Sequence, residues 1–192
     1  MGMSGIGRAG SWATAASAGP VGLAMAGIAG LTYGITRLAS AGYAAAEMIE
    51  LTRARFDQLT GSSAEGARVL EKVKRYALNS VYGLESVANT TRMIMQYSPT
   101  MTSDGAFDAT RRLGDIAGGD SNRLDLLGLA YAQTQASGYL KGGELRQYTE
   151  SGWNPLASYA RMQGIPLMDA FKRMENREIT AADVQAALEA DT

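Results

Sequence analysis

Two residue types are missing from this chain of 192 residues: it has no cysteine and no histidine. Without cysteine there is no disulfide, no thiolate zinc site and no cysteine nucleophile. Without histidine the commonest general base and metal ligand is gone, and with it any Ser-His-Asp arrangement. Any chemistry must rest on Asp, Glu, Lys, Tyr, Ser or Thr. Proline is scarce, at four residues, and aromatics make up only 7%. Net charge is also lacking: a balance of -1 gives no global attraction to nucleic acid or to an acidic membrane surface. The densest basic stretches, Lys72-Val73-Lys74-Arg75 and Arg111-Arg112, are short and set among acids, so specific nucleic-acid binding is not expected.

What is present describes a globular helical protein. Hydrophobic residues reach 46% and charged residues 19%, and the length is enough to bury a core. Ala, Leu, Met, Glu and Gln dominate between 23 glycines, which favours helices punctuated by glycine stops. No polar-apolar alternation is long enough to predict a strand. The expected fold is all-α: a long N-terminal apolar helix, then a compact multi-helix domain ending in short helices. The expected division is a Gly/Ala-rich leader and long helix over 1–60 and a helical domain over 61–192.

The leader carries no charge from Ala9 to Thr36, and after Arg37 the next charge is Glu47. Met1-Gly2-Met3-Ser4-Gly5 lacks the basic start of a cleavable signal peptide. Gly22, Ala26, Gly30 and Gly34 recur every fourth residue and so fall on one helix face, where two backbones can approach closely. Three readings of this stretch stand side by side: an oligomer-forming helix, a segment over 9–46 that inserts into membrane, and a flexible apolar leader. The helix is expected to start near Pro20 and to run past Glu47 into "MIELTRARFDQL".

Gly61 breaks that helix, and Ser62-Ser63-Ala64-Glu65 has the form of a capping box. Tyr82-Gly83 separates the next helix from one ending near Tyr97. Another is expected from Asp104 to Ala117, closed by Gly118-Gly119. Asp120 or Ser121 caps "NRLDLLGLAYAQTQA", which is apolar on most sides and predicts a central buried helix stopped by Gly138. Three short helices follow, ending at Gly152, running from Pro155 to Gly164, and starting at Pro166. Thr180, with Asp183 three residues later, caps the last.

The chemical signals are few. Asp120 to Asp125 superficially resembles a calcium loop, but Leu124 occupies the fifth position and no glutamate stands at the twelfth. Lys141-Gly142-Gly143 lacks the order of a phosphate loop. Neither a metal nor a cofactor is expected. Glu150 is the one candidate acid. "ESGWNP", with Ala157 and Ser158 beyond it, resembles the first motif of lysozyme-like lytic transglycosylases, in which a carboxyl held in an apolar pocket protonates a glycosidic oxygen. The glycine-rich Met-Gln element that lines the family's sugar cleft is incomplete in "ARMQGIPLM". The alternative reading makes Glu150 a residue of a last helical turn, Gly152 the stop and Pro155 the restart.

A longer pattern favours that second reading. In "LGDIAGGDSNRLDLLGLAYAQTQASGYLKGGELRQYTESGWNPL" the residues Gln133, Gly138, Leu140, Gly142, Glu144, Leu145, Gln147 and Gly152 stand in the order and spacing of a known family. With "RFDQLTGSSAEGARVLEKVKRYA" and "REITAADVQAAL", the span from about Glu50 to Leu188 resembles the conserved domain near the N-termini of tailed-phage tail tape measure proteins. Two departures are Ala132-Gln133, where the family often has Gly-Gln, and Trp153, where an aliphatic residue is usual. Family members are several times longer, so the chain reads as a piece of a longer protein.

The resemblance implies a non-enzymatic structural protein of the virion. Such proteins occupy the tail lumen, set tail length while the tube polymerises, and leave before DNA passes. Implied partners are other copies of the chain, tail tube and tail tip or baseplate proteins, tail assembly chaperones and, during ejection, the host membrane. Implied locations are the host cytoplasm during assembly and then the virion tail.

Overall fold

The computed structural model describes residues 46–192. The chain divides into two units, Met1–Ile49 and Glu50–Thr192. Most of the expected long apolar helix, including the face of Gly22, Ala26, Gly30 and Gly34, lies outside the described residues. Its expected continuation is helical over 46–60 (α1). Then follow α2 (Ser63–Asn79), α3 (Leu84–Tyr97), α4 (Ser103–Ala117), α5 (Ser121–Ser137), α6 (Gly142–Glu150), α7 (Pro155–Gln163), α8 (Leu167–Glu175) and α9 (Ala181–Ala190). The described part is therefore all-helical. Among the described residues no helix is long and apolar enough to cross a membrane.

Helix α5 is the axis of the second unit. It packs most extensively on α3 and also meets α4, α6 and α9. Leu124, Leu127, Ala130, Tyr131, Ala132 and Thr134 are all buried along it. Because the apolar residues face neighbours on several sides, no single stripe develops, which is how the sequence marks a central helix. Small residues let the helices close in. A Cβ on Gly128 of α5 would come within 2.5 Å of Thr90 Cγ2 on α3. A Cβ on Gly66 of α2 would meet the backbone nitrogen of Asp57 at 2.6 Å.

Several small hydroxyls buried in these contacts are satisfied locally, while Tyr131 Oη on α5 is enclosed without a partner. Thr91 Oγ1 lies 2.8 Å from the Val87 carbonyl and 3.0 Å from Thr110 Oγ1, its one proton shared between them, while Thr110 donates to the Ala106 carbonyl at 2.9 Å. Ser86 and Thr90 of α3 donate to Asp125 Oδ1 of α5 at 2.9 and 3.3 Å. Such back-bonding removes the penalty of burying a hydroxyl while keeping the side chain small.

On the surface, α2 and α4 are joined by charge. Asp104 accepts from Lys72 at 2.6 Å and from Arg68 at 3.0 Å, and Glu65 pairs with Arg68 at 2.6 Å. Hydrogen bonds from Arg68 and then Ser103 lower the Glu65 pKa to about 2; those from Lys72 and then Arg68 lower that of Asp104. For Asp108, desolvation opposes ionisation, yet hydrogen bonds from Arg112 and Arg111 bring the net shift downward.

Several boundaries differ from expectation for local reasons. Ser62 accepts from the Glu65 backbone, but the Glu65 side chain turns to Arg68 and Ser103, so the box is half closed. Helix α4 begins one residue early because Thr102 caps it through Gly105 N at 3.1 Å. Asp120, not Ser121, caps α5, accepting from the backbones of Asn122 and Arg123. Pro166 is the cap of α8 and not its first residue. Thr180 and Asp183 form the full reciprocal box.

Candidate functional site

The segment from Gln133 to Gly152 contains every residue of the longer pattern, and the structure makes it one connector. Helix α5 ends at Gly138, whose φ of 80° lies in the left-handed region that glycine enters without steric cost. Its N–H donates to the carbonyls of Thr134 at 3.0 Å and Gln135 at 3.2 Å, closing the helix. The chain then lies against the residues that lead into α9. Ala181 N donates to the Gly138 carbonyl, and Leu140 N to the Ile179 carbonyl, both at 2.9 Å. Tyr139 and Thr180 thus form an isolated antiparallel bridge, a feature that the helical periodicity does not announce.

Leu140 is fully buried at this crossing and Leu145 is buried on α6. Gln133 and Gln147 are half-buried; the Gln133 carbonyl accepts from Ser137 Oγ and the Gln147 carbonyl from Ser151 N. Glu144 is half-buried, with Oε2 enclosed and without a hydrogen-bond partner. Gly142 opens α6 with free space where a Cβ would stand, and nothing in the structure explains a glycine there. Gly152 is different. Its φ is 85°, and a Cβ would run into the Arg123 guanidinium, which donates to the Ser151 carbonyl through Nη2 at 2.9 Å and Nε at 3.1 Å. Gly152 thus ends α6 and leaves room for the clamp from α5.

Residues that the pattern does not contain complete the site. Tyr148 is wholly buried, donates to Thr134 Oγ1 at 3.1 Å, and meets the Trp153 ring edge-to-face with centroids 5.0 Å apart. Burial pushes its phenol well above the ordinary value, against the hydrogen bond with Thr134. Trp153 Nε1 donates to Asp191 Oδ2 at 2.8 Å, Ser158 Oγ donates to the same oxygen at 2.5 Å, and Arg161 pairs with Oδ1. One carboxylate at the end of α9 thereby holds α7 along its length, from Trp153 just before it to Arg161 in its last turn. Trp153 was visible in the sequence as part of "ESGWNP" and as a departure from the longer pattern, not as a packing anchor; no sequence spacing pointed to Asp191.

Glu150 stands at the last turn of α6. Its side chain is 69% exposed and faces Arg146 Nε at 3.6 Å. A general acid of the transglycosylase kind needs an apolar surround, and this position has solvent and a guanidinium instead. Among the described residues no group of three or more His, Asp or Glu side chains is placed to hold a metal ion. Chemically, the arrangement is suited to holding helices in register. Comparison with protein-family models, with curated proteins and with solved structures finds no match.

Proposed function

We propose that the chain is a tail tape measure segment of a tailed bacteriophage, a structural virion protein acting through protein–protein contacts. The observation that carries this reading is the ordered series from Gln133 to Gly152. It is supported by where those residues fall: a stop at Gly138, a buried crossing at Leu140, packing at Leu145 and a clamped stop at Gly152 are positions at which a structural pattern would be constrained. The assigned role is to help set tail length and to scaffold the tube as it assembles. Its partners in that role are further copies of itself, tube and tip or baseplate proteins and assembly chaperones. The stretch over 9–46, whose one charged residue is Arg37, is the part assigned to contact with the host membrane during ejection. Electron microscopy of particles assembled with and without the encoding gene tests the role. Loss of the gene is expected to abolish tails or make their lengths irregular, and tails of normal, uniform length without it would refute the reading.

A further inference from the structure

We propose that the groove between α2 and α4 is a docking site for a segment of another protein that presents an apolar side chain beside a carboxylate. The groove is an open surface depression of about 570 Å³, shaped to take the side chains of a protein segment lying along it rather than to enclose a small molecule. Its apolar part is made by the rings of Tyr76 and Phe107, set edge-to-face with centroids 6.2 Å apart. Lys72 and Arg75 line it from α2, and Asp104 and Asp108 from α4.

The charges around this floor are almost all spoken for. Asp104 is held by Lys72 and Arg68, and Asp108 by Arg112 at 2.7 Å and Arg111 at 3.1 Å. Arg75 is exposed and has no ion pair among the described residues, since Glu71, one turn before it, pairs with Lys74. The residual charge at the rim is therefore a single guanidinium, about one turn along the helix from Lys72. Its complement is an anion, and the anion that an unmodified protein segment carries is a carboxylate, whose two oxygens match the guanidinium fork. A basic segment would find both lining acids already neutralised and Arg75 repelling it. The rings then select an aromatic or aliphatic neighbour for that carboxylate. This inference rests on the groove alone and not on the tail assignment.

The test titrates the full chain with N-acetyl-L-tryptophan and, separately, with its amide, which differs only in lacking the negative charge. Amide-correlation NMR is the readout. The acid is expected to shift the signals of Arg75, Tyr76 and Phe107, and the amide to bind about fivefold more weakly. Arg75→Gln should reduce the acid to the level of the amide, and Arg75→Lys should restore most of the difference. Equal binding of acid and amide, tighter binding of the amide, shifts confined to other surfaces, or no shift at all would each overturn the proposal.

Discussion

Helices α2 to α5 run 14 to 17 residues, whereas α6 to α9 run 9 or 10. Two or three turns are too few to be helical in water by propensity alone, so the short set must be held from outside. The two sets are held by different means. In α2 to α5, glycines and hydroxyl residues bring long helices close, and the contacts are spread along their lengths. In α6 to α9, a few large groups carry the assembly: Tyr148 on Thr134, Trp153 on Tyr148, and Asp191 gathering Trp153, Ser158 and Arg161. Distributed packing should tolerate the loss of one side chain but not the addition of one. Concentrated packing should behave the opposite way.

The largest expected effect follows from that contrast. Tyr148→Ala removes the anchor of the short-helix set and should cost about 3–5 kcal/mol, measured by urea unfolding. Gly66→Ala, by contrast, adds a methyl against the Asp57 backbone and should cost about 1–3 kcal/mol, although it deletes nothing. A fully tolerated Gly66→Ala would break the comparison. Asp191→Ala leaves the Trp153 indole N–H and the Ser158 hydroxyl without their acceptor and should cost about 1–2 kcal/mol. Hydrogen exchange should show its effect in α7 and α9 first.

Acid should act on the other set. The Glu65 and Asp104 carboxyls titrate lower in the folded chain than in an unfolded one, so their contribution is present above the ordinary carboxylate range. It fades as pH falls from about 4.5 towards about 2. Amide protection in α2 and α4 should fall across that window, and fall less in the variant Lys72→Met, which has already lost part of the network. The smallest effect belongs to Glu150→Gln. Its pair with Arg146 is exposed on both sides, so stability should change by less than about 0.5 kcal/mol. Neither form should release muropeptides from peptidoglycan, and release by the unsubstituted chain alone would revive the transglycosylase reading.

Much of the helical layout was legible because helix ends are written locally. Asp120 and Thr180 carry caps in their own side chains, and Gly138, Gly152 and Gly164 mark stops where the backbone turns left-handed. What could not be read depends on partners distant in sequence. Glu65 abandons its box because Arg68 and Ser103 reach it. Gly66 and Gly128 look like weak points of their helices until Asp57 and Thr90 are placed against them. Asp191 is an unremarkable acid until the folding of α7 brings three donors to it. The candidate site divides in the same way. The pattern named its turns and stops, while its anchors, Tyr148 and Trp153, emerged from packing.

As a tape measure segment, the chain is proposed to occupy the tail and then to leave it. Quantitative mass spectrometry of purified particles, before and after triggered DNA release, addresses this proposal most directly. The account predicts peptides of this chain in filled particles and their loss from emptied ones. Their absence from filled, tailed particles would contradict it.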